Sequence, residues 1–237
     1  MPMRWLLTRP HPLNAPLAEA LRLAGDACWE HPLLAIEPLP ADAQRLLIQT
    51  STAWDRVIFT SQASVDYSLE LLKTLQRSKP QPAYYAVGQA TVDRLAGEGL
   101  TAGAGQDNGS ESLLEAMLPL PSEQRILLIT GQGGRQLIDD VLKRNGHHLT
   151  RCEVYRRQSL VDTSLDRLVQ EHSIDTVLIT SAQALSALTQ SLDRATREHL
   201  QLVVMSKRIA DIASELDYAR VVISNDLRAE ALRLAIE

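Results

Sequence analysis

The stretch Ile126 to Arg157, ILLITGQGGRQLIDDVLKRNGHHLTRCEVYRR, decides the fold of this chain. An apolar run stops at Thr130 and the glycine-rich turn 131–134, after which apolar residues recur at helical spacing up to Leu142. Gly146 is placed to end that helix, and the chain then resumes in an alternating, extended pattern. The pattern predicts a β-α-β unit whose glycine turn leads onto a helix N-terminus, where free N–H groups and the helix dipole favour anions.

The composition disfavours several classes of protein. In a chain of 237 residues, 45% hydrophobic content is enough for a buried core, and no apolar run approaches the roughly 20 residues that a membrane-spanning helix needs. The net charge of −5 argues against nucleic acid and anionic membranes as partners, because both require a basic surface. Since the first residues, MPMRWLLTRP, show no secretory signal, the expected location is cytoplasmic.

The cysteine and histidine residues indicate no metal site. Cys28 and Cys152 are the two cysteines, and without a secretory signal they are expected to be reduced, buried thiols that act as small apolar residues. The six histidines are scattered, and the adjacent pair His147 and His148 lacks the spacing of metal ligands on one helix face. We therefore expect this pair to lie in a solvated turn.

The pattern around the glycine turn occurs twice in the chain. Equivalent positions lie about 120 residues apart: Gly25 and Gly146, Thr60 and Thr180, Gly88 and Ser206. A period this long exceeds that of solenoid repeats and indicates a duplicated domain. Each copy is predicted to run strand, helix, strand, strand, helix, strand, helix, weak strand, helix, which is typical of a parallel sheet covered on both faces. The extended segments 26–39 and 148–161 lead from one copy into the other and are predicted to form a two-stranded ribbon.

One kind of junction recurs where a predicted strand ends and a helix begins. Because the carboxyl ends of parallel strands share one edge of a sheet, ligands of open α/β folds bind at that edge. Hydroxyl groups and helix N-termini suit a ligand with many carboxylates, since each N-terminus is worth roughly 0.3–1 kcal/mol to an anion. The junction residues are Thr8, Arg9, Thr60, Ser61, Gly88, Gln89, Thr130, Gly131, Thr180, Ser181, Ser206 and Lys207, and Arg135 adds positive charge beside Arg9 and Lys207.

Each junction taken alone has a structural explanation as well. Ser and Thr are ordinary N-cap residues, and an arginine near a helix N-terminus, such as Arg135, is usually solvated. The GQGG turn lacks the GxGxxG spacing, and no Walker Lys-Ser/Thr follows it, so a dinucleotide site is disfavoured. No Ser-His-Asp arrangement, CxxC or HExxH pattern is found, which disfavours covalent and metal-assisted hydrolysis.

Tyr155 lies in the second extended segment, between Val154 and the pair Arg156 and Arg157. A tyrosine in such a segment is usually half-buried packing. Its phenol is also a hydrogen-bond donor or weak acid, and two adjacent arginines would favour the phenolate or a nearby carboxylate.

At these residues the sequence resembles the uroporphyrinogen-III synthase family along essentially its whole length. None of the motifs is a signature alone, but their order and spacing are distinctive. The motifs are LLTRP (6–10), FTSQASV (59–65), AVGQAT (86–91), LLITGQGGR (127–135), EVYRR (153–157), ITSAQAL (179–185) and SKRIADIA (206–213).

The resemblance implies an α/β fold of two similar parallel-sheet, flavodoxin-like domains joined by a two-stranded ribbon. One domain of the family is discontinuous. Carried over to this chain, residues 1–36 would join 163–237, residues 37–162 would form the inserted domain, and the ribbon linkers would lie near 28–40 and 150–162.

The resemblance also implies an activity. The family binds the linear tetrapyrrole hydroxymethylbilane between its domains, expels the terminal hydroxyl as water and inverts the last pyrrole ring, ring D, through a spiro intermediate, without a cofactor. Tyr155 matches the family's ribbon tyrosine, which is implied to assist departure of the hydroxyl, and Ser61 and Ser181 match turns that hold substrate carboxylates. Where some members carry a glycine-threonine turn, this chain has Ser206-Lys207-Arg208, so a hydroxyl role there does not carry over directly.

The expected partners follow from the same resemblance. They are the small-molecule substrate and a transient hand-over from the preceding enzyme of the pathway, and nothing in the sequence demands more than a monomer. Two other functions fit parts of the pattern. A two-lobed protein that binds a small anion without chemistry fits the duplication, although such proteins usually carry an export signal. A nucleotide or sugar-phosphate enzyme fits the turn 131–134, but it would need the glycine spacing and an acidic ribose partner.

Overall fold

The structure is a computed structural model of the chain, and it describes residues 2–50, 53–107, 109–121, 123–134 and 136–236. The chain divides into two compact units. Unit 1 comprises residues 1–35 and 158–237, and unit 2 comprises residues 36–157. No helix in the described part of the chain is long and apolar enough to cross a membrane.

Strands and helices alternate along the described residues. In chain order they are β1 (Arg4–Leu7), α1 (Ala15–Leu23), β2 (Ala27–Glu30), β3 (Leu34–Pro38), α2 (Asp42–Thr50), β4 (Arg56–Phe59), α3 (Gln62–Asp66), α4 (Leu69–Arg77), β5 (Ala83–Ala86), α5 (Gln89–Ala96), β6 (Ala102–Gly103), α6 (Ser110–Met117), β7 (Arg125–Gly131), α7 (Leu137–Arg144), β8 (His148–Ser159), α8 (Leu165–Glu171), β9 (Thr176–Ile179), α9 (Ala182–Ser191), α10 (Arg194–Arg197), β10 (Gln201–Val204), α11 (Lys207–Ala213), β11 (Arg220–Ile223) and α12 (Ala229–Leu234).

Unit 1 is built on a sheet with the strand order β11-β10-β9-β1-β2, in which the neighbouring strands are parallel. The first strand of the chain is therefore internal, and Trp5 pairs with Cys28 on one side and Thr176 on the other. Because side chains alternate along a strand, Leu6 packs in one apolar core and Trp5 and Leu7 pack in another. Both faces of the sheet are covered, as the sequence pattern predicts.

Unit 2 is built on a sheet with the order β3-β8-β7-β4-β5-β6, in which the pairs from β8 to β6 are parallel. Phe59 and Ile129 pack in one core, and Ile58 and Leu128 pack in the other. Two α/β units with parallel sheets confirm the predicted fold class.

Three helices in the described part of the chain are missing from the sequence-based prediction: α10, between α9 and β10, and two that separate strands predicted to follow one another. The prediction places two strands in succession within each copy, whereas α2 lies between β3 and β4, and α8 lies between β8 and β9. In α8 the buried residues Leu165 and Val169 are four apart, which is helical spacing within a short segment. The charged residues between them hide this spacing from a search for long apolar periods.

The expectation of a solvated turn at His147 is wrong. Gly146, at φ 81°, ends α7, and the His147 N–H donates to the Leu142 carbonyl at 3.1 Å in a Schellman motif. This motif turns the chain inward, so His147 is only 6% exposed, and His148 begins β8.

Both cysteines are free thiols whose surroundings make them unreactive. Cys152 is buried and Cys28 is half-buried. Burial raises the pKa of each thiol to about 11, so both stay protonated near neutral pH.

Candidate functional site

In unit 2 the predicted junction residues meet at one edge of the sheet. The strands β7, β4 and β5 are parallel neighbours, so their carboxyl ends lie side by side. The residues at these ends are Thr130 and Gly131, Thr60 and Ser61, and Gly88 and Gln89. The Thr60 hydroxyl donates to Thr130 Oγ1 across two strands at 2.9 Å. The edge predicted from the sequence therefore forms within unit 2.

Tyr155 lies over the end of β7 because of a β-bulge. Thr130 pairs with Glu153, but the next residue, Gly131, pairs with Tyr155, so one residue of β8 is extra at this point. A Cβ atom on residue 131 would lie 2.4 Å from Cζ of the Tyr155 ring and 2.8 Å from its hydroxyl oxygen. Glycine at this position is what allows the ring to pack on the strand. The Gln132 N–H also donates to the Tyr155 carbonyl at 2.7 Å.

The hydroxyl group of Tyr155 has polar neighbours although the side chain is buried. The residue is only 3% exposed, and its hydroxyl oxygen lies 3.0 Å from Ser61 Oγ. Arg157 Nη2 donates to the same oxygen at 3.4 Å, and the Arg157 guanidinium lies 5.7 Å from the ring centroid. Arg156 instead forms an ion pair with Glu37 at 2.9 Å. Of the two predicted arginines, Arg157 is the one whose charge lies beside the phenol.

A cavity of about 260 Å³ adjoins this phenol in unit 2. Its wall combines hydroxyl groups, backbone of the glycine turn, one arginine and two apolar residues. The lining residues are Thr60, Ser110, Leu128, Thr130, Gly131, Gly134, Ile138, Tyr155 and Arg157. Such a wall offers several hydrogen bonds to an oxygen-rich group.

Ser61 has a structural duty as well as its contact with Tyr155. It is the N-cap of α3, where its hydroxyl oxygen accepts from the Ser64 N–H at 3.1 Å. The Ser64 hydroxyl in turn accepts from the Ser61 N–H at 3.1 Å, which completes a capping box. The ordinary explanation of this serine as a helix cap is therefore correct. The same oxygen also lies within hydrogen-bond distance of the Tyr155 hydroxyl group.

In unit 1 the equivalent residues also lie at one sheet edge, because β10, β9 and β1 are parallel neighbours. Thr180 precedes Ser181, which caps α9 by accepting from the Ala184 N–H at 3.1 Å. Ser206 caps α11 by accepting from the Ile209 N–H at 3.4 Å. The Thr8 hydroxyl donates to the Leu178 carbonyl at 2.6 Å. These hydroxyls support the helix and sheet ends.

Several of the predicted cationic and amide side chains already form ion pairs or hydrogen bonds within the chain. Lys207 lies 2.7 Å from Asp211 Oδ1, so its charge is offset one helical turn away. Arg9 is partly buried, which lowers its pKa, and it donates to the Leu13 carbonyl at 3.0 Å. The Gln89 amide donates to Asp93 at 2.7 Å. Arg135 lies outside the described residues.

The sequence analysis missed two residues beside the site. Ser110, the first residue of α6, lines the cavity although the preceding strand, β6, is separated from β7 by β4 and β5 in the sheet. Arg151 reaches the Gly131 carbonyl from within β8. The sequence signal that could have identified Arg151 was a long cationic side chain in the middle of an apolar strand pattern.

Comparisons with known proteins agree with the resemblance. The family described as Uroporphyrinogen-III synthase HemD matches residues 15–233. The uroporphyrinogen-III synthase of Escherichia coli is 29% identical over 253 residues, which cover 99% of this chain and 100% of that protein. The uroporphyrinogen-III synthase of Salmonella typhimurium is 30% identical over 250 residues, with the same coverage.

Solved structures show the same fold. A mutant uroporphyrinogen III synthase of Thermus thermophilus has a TM-score of 0.60 at 19% identity, covering 98% of this chain and 96% of that one. The uroporphyrinogen-III synthetase of Helicobacter pylori has a TM-score of 0.61 at 17% identity, covering 99% and 98%. Together with the full-length sequence matches, these findings establish that the chain belongs to the uroporphyrinogen-III synthase family.

Proposed function

We propose that this chain converts hydroxymethylbilane into uroporphyrinogen III, with loss of water and inversion of ring D through a spiro intermediate. The observation that carries the proposal is the placement of the Tyr155 phenol: it packs on Gly131, contacts Ser61 and Arg157, and adjoins a cavity lined with hydroxyl groups. Family membership supports the same activity.

The proposed mode of binding divides the substrate between the two sheet edges. The cavity of unit 2, about 260 Å³, is smaller than the roughly 300–1,000 Å³ of pockets that enclose drug-sized ligands. It would therefore admit only the end of the bilane that carries the hydroxymethyl group. The remaining carboxylates would be bound by backbone N–H groups and helix N-termini at the sheet edges of both units.

In the proposed reaction, Tyr155 supplies a proton to the departing hydroxyl. The electrons of the first pyrrole nitrogen expel the hydroxyl, which takes the phenol proton and leaves as water, so an azafulvene remains. The already substituted carbon of ring D attacks the methylene carbon of this azafulvene and gives the spiro intermediate. The bond from that carbon to the methylene group of ring C then breaks and leaves a second azafulvene on ring C. Ring D turns over and bonds to this methylene group through its free carbon, which then loses a proton to the phenolate and restores the phenol. Arg157, beside the oxygen, would stabilise the transient phenolate.

The larger task of the site would be conformational. Closure at the free carbon without inversion would give the other isomer, so the enzyme must hold the chain with the substituted carbon nearest the reacting methylene group. Many weak contacts would share this task, and the loss of any single hydroxyl would have a small effect.

The test is the substitution Tyr155→Phe. An electron-rich pyrrole ionises without a strong acid, so we expect kcat to fall about 10- to 100-fold, at or below the lower limit of the roughly 100- to 10,000-fold that a general acid contributes. The measurement is the rate of uroporphyrinogen III formation from enzymatically generated bilane, with separation of the oxidised isomers.

Tyr84→Phe is a matched control. Tyr84 is also a buried tyrosine of unit 2, and its hydroxyl has no hydrogen-bond partner in the described part of the chain. Removing that oxygen should leave the rate unchanged and the stability equal or higher. Full activity of Tyr155→Phe would refute the acid role, and production of isomer I alone by the wild-type chain would refute the proposed function.

A further inference from the structure

Arg151 joins three parts of unit 2 through one guanidinium group. From β8, its Nη1 donates to Asp139 Oδ2 in the first turn of α7 at 2.8 Å. Its Nε donates to Glu153 Oε1 at 3.0 Å, and its Nη2 donates to the Gly131 carbonyl at 3.4 Å. The side chain is 22% exposed and that of Asp139 only 10%. A largely buried cation with two carboxylates and a carbonyl has little freedom to move.

The third of these contacts lies next to the proposed acid. Gly131 is the residue on which the Tyr155 ring packs, and a shift of its backbone would move the ring, because the two are in van der Waals contact. The register between β7 and β8 changes at this point, between Thr130 and Gly131. Ladder hydrogen bonds are disrupted at a bulge, so a contact from outside the ladder adds to the bond between Gln132 and Tyr155 in fixing the position of Gly131.

We propose that Arg151, oriented by Asp139 and Glu153, is a positioning residue for Tyr155. It holds the Gly131 carbonyl, and thereby fixes the bulge that places the phenol at the cavity. The kinetic consequences rest on the proposed function, whereas the placement of the ring does not. Asp139 has a particular part, because it ties the guanidinium to the helix that follows the glycine turn.

The geometry requires a guanidinium group, and a positive charge alone would not be enough. Three different nitrogens of Arg151 serve three acceptors in different directions, and the planar fork keeps these directions fixed. A lysine ammonium is a single point on a flexible stem, so it would keep the ion pair with Asp139 but lose the bond to the carbonyl. Arg151→Lys therefore separates the charge from the positioning.

The kinetic test compares Arg151→Lys and Arg151→Met in the wild-type and Tyr155→Phe backgrounds. We expect each variant to lower kcat roughly 10-fold or more with KM nearly unchanged, since small misplacements of reacting groups cost up to about 100-fold. In the Tyr155→Phe background the same substitutions should have almost no further effect, because the hydroxyl that they misplace is already gone. Equal fold-losses in both backgrounds would overturn the proposal.

Arg94→Met is the matched control. Arg94 of α5 is also an arginine of unit 2 with two carboxylate partners, Asp66 at 2.6 Å and Glu98 at 2.7 Å, and its side chain is 27% exposed. Its loss should lower thermal stability as the loss of Arg151 does, yet leave kcat and KM unchanged. If Arg94→Met lowers kcat as much as Arg151→Met, the effect is one of stability and the proposal fails.

A spectroscopic measurement makes the result independent of catalysis. The chain has five tyrosines, so a protein labelled with ¹³C at tyrosine Cζ gives a small set of signals, and the one lost in Tyr155→Phe belongs to Tyr155. Arg151→Lys should shift or broaden this signal and leave those of the other tyrosines in place, whereas Arg94→Met should not change it. An unmoved Tyr155 signal in folded Arg151→Lys would overturn the positioning role even if the chain had another activity.

Discussion

Gly131 is the residue on which the placement of Tyr155 depends most directly. In Gly131→Ala the new methyl group would lie 2.4–2.8 Å from the ring and its hydroxyl oxygen, so the ring has to move. We expect a loss of about 1–3 kcal/mol of stability from overpacking, and a loss of activity about as large as that of Tyr155→Phe. Urea unfolding and the rate of isomer III formation measure the two effects.

Gly146→Ala serves as the comparison for this prediction. Its φ of 81° makes alanine unfavourable by about 1–2 kcal/mol, but among the described residues, its two chain neighbours aside, no atom lies within 4 Å of the added Cβ. This variant should lose similar stability and keep its activity. If Gly131→Ala is also fully active, the packing of the ring on the strand has no importance for the reaction.

The contact between Gly131 and Tyr155 shows where sequence reasoning ends at this scale. The strand, the glycine turn and Tyr155 are all recognisable in the sequence. Their contact depends on a β-bulge, and no residue pattern marks which of the residues of β8 is the extra one. The pairing of Lys207 with Asp211, which offsets a charge that the sequence suggests for substrate binding, is by contrast readable, because the two residues are four apart on a predicted helix.

Among the elements, the helices that begin at the sheet edges give the next prediction. Ser61 and Ser181 are N-caps of α3 and α9, so replacing either by alanine should cost about 1 kcal/mol of stability. The backbone N–H groups stay in place, and we therefore expect only a few-fold change in the rate of isomer III formation.

The two serines also differ in an informative way. Ser61 contacts the Tyr155 hydroxyl, whereas the bond that Ser181 forms is the cap itself. Ser61→Ala should thus be slightly slower than Ser181→Ala at equal stability. A loss in Ser61→Ala as large as that in Tyr155→Phe would contradict the idea that binding is shared among many contacts.

Most elements were predictable because their apolar periods are long or their turns carry glycine. The helix α7, for example, lies between the predicted turn and Gly146. The helices α2 and α8 were not, because charged residues interrupt their short apolar faces. Their existence is settled by packing against the sheet, which a local pattern does not contain.

On the scale of the whole molecule, the two units differ in whether one continuous segment of the chain contains all of their strands. Unit 2 is one continuous segment with its own two cores, and we expect residues 36–157 to fold alone. The fragment 158–237 should not fold, because β9 would lose β1 and expose the apolar edge around Leu178. Dispersion of amide signals in NMR spectra of the two fragments measures this.

Mixing provides the decisive comparison for the fragments. Adding a peptide of residues 1–35 should restore the dispersed spectrum of 158–237, since it supplies β1, α1 and β2. If 158–237 folds without the peptide, or if 36–157 remains unfolded, the division into these units does not describe how the chain folds.

The internal position of β1 has a consequence for synthesis on the ribosome. Trp5 lies in β1, and one of the two partner strands of β1 contains Thr176, which is translated about 170 residues later. At roughly 5–20 residues per second, that delay lasts on the order of 10–30 s. During this time the whole of unit 2 is synthesised, while the apolar strand β1 still lacks its neighbour β9 on one side. The segment around Trp5 is therefore the one most in need of a chaperone, and remains so until the segment around Thr176 leaves the exit tunnel.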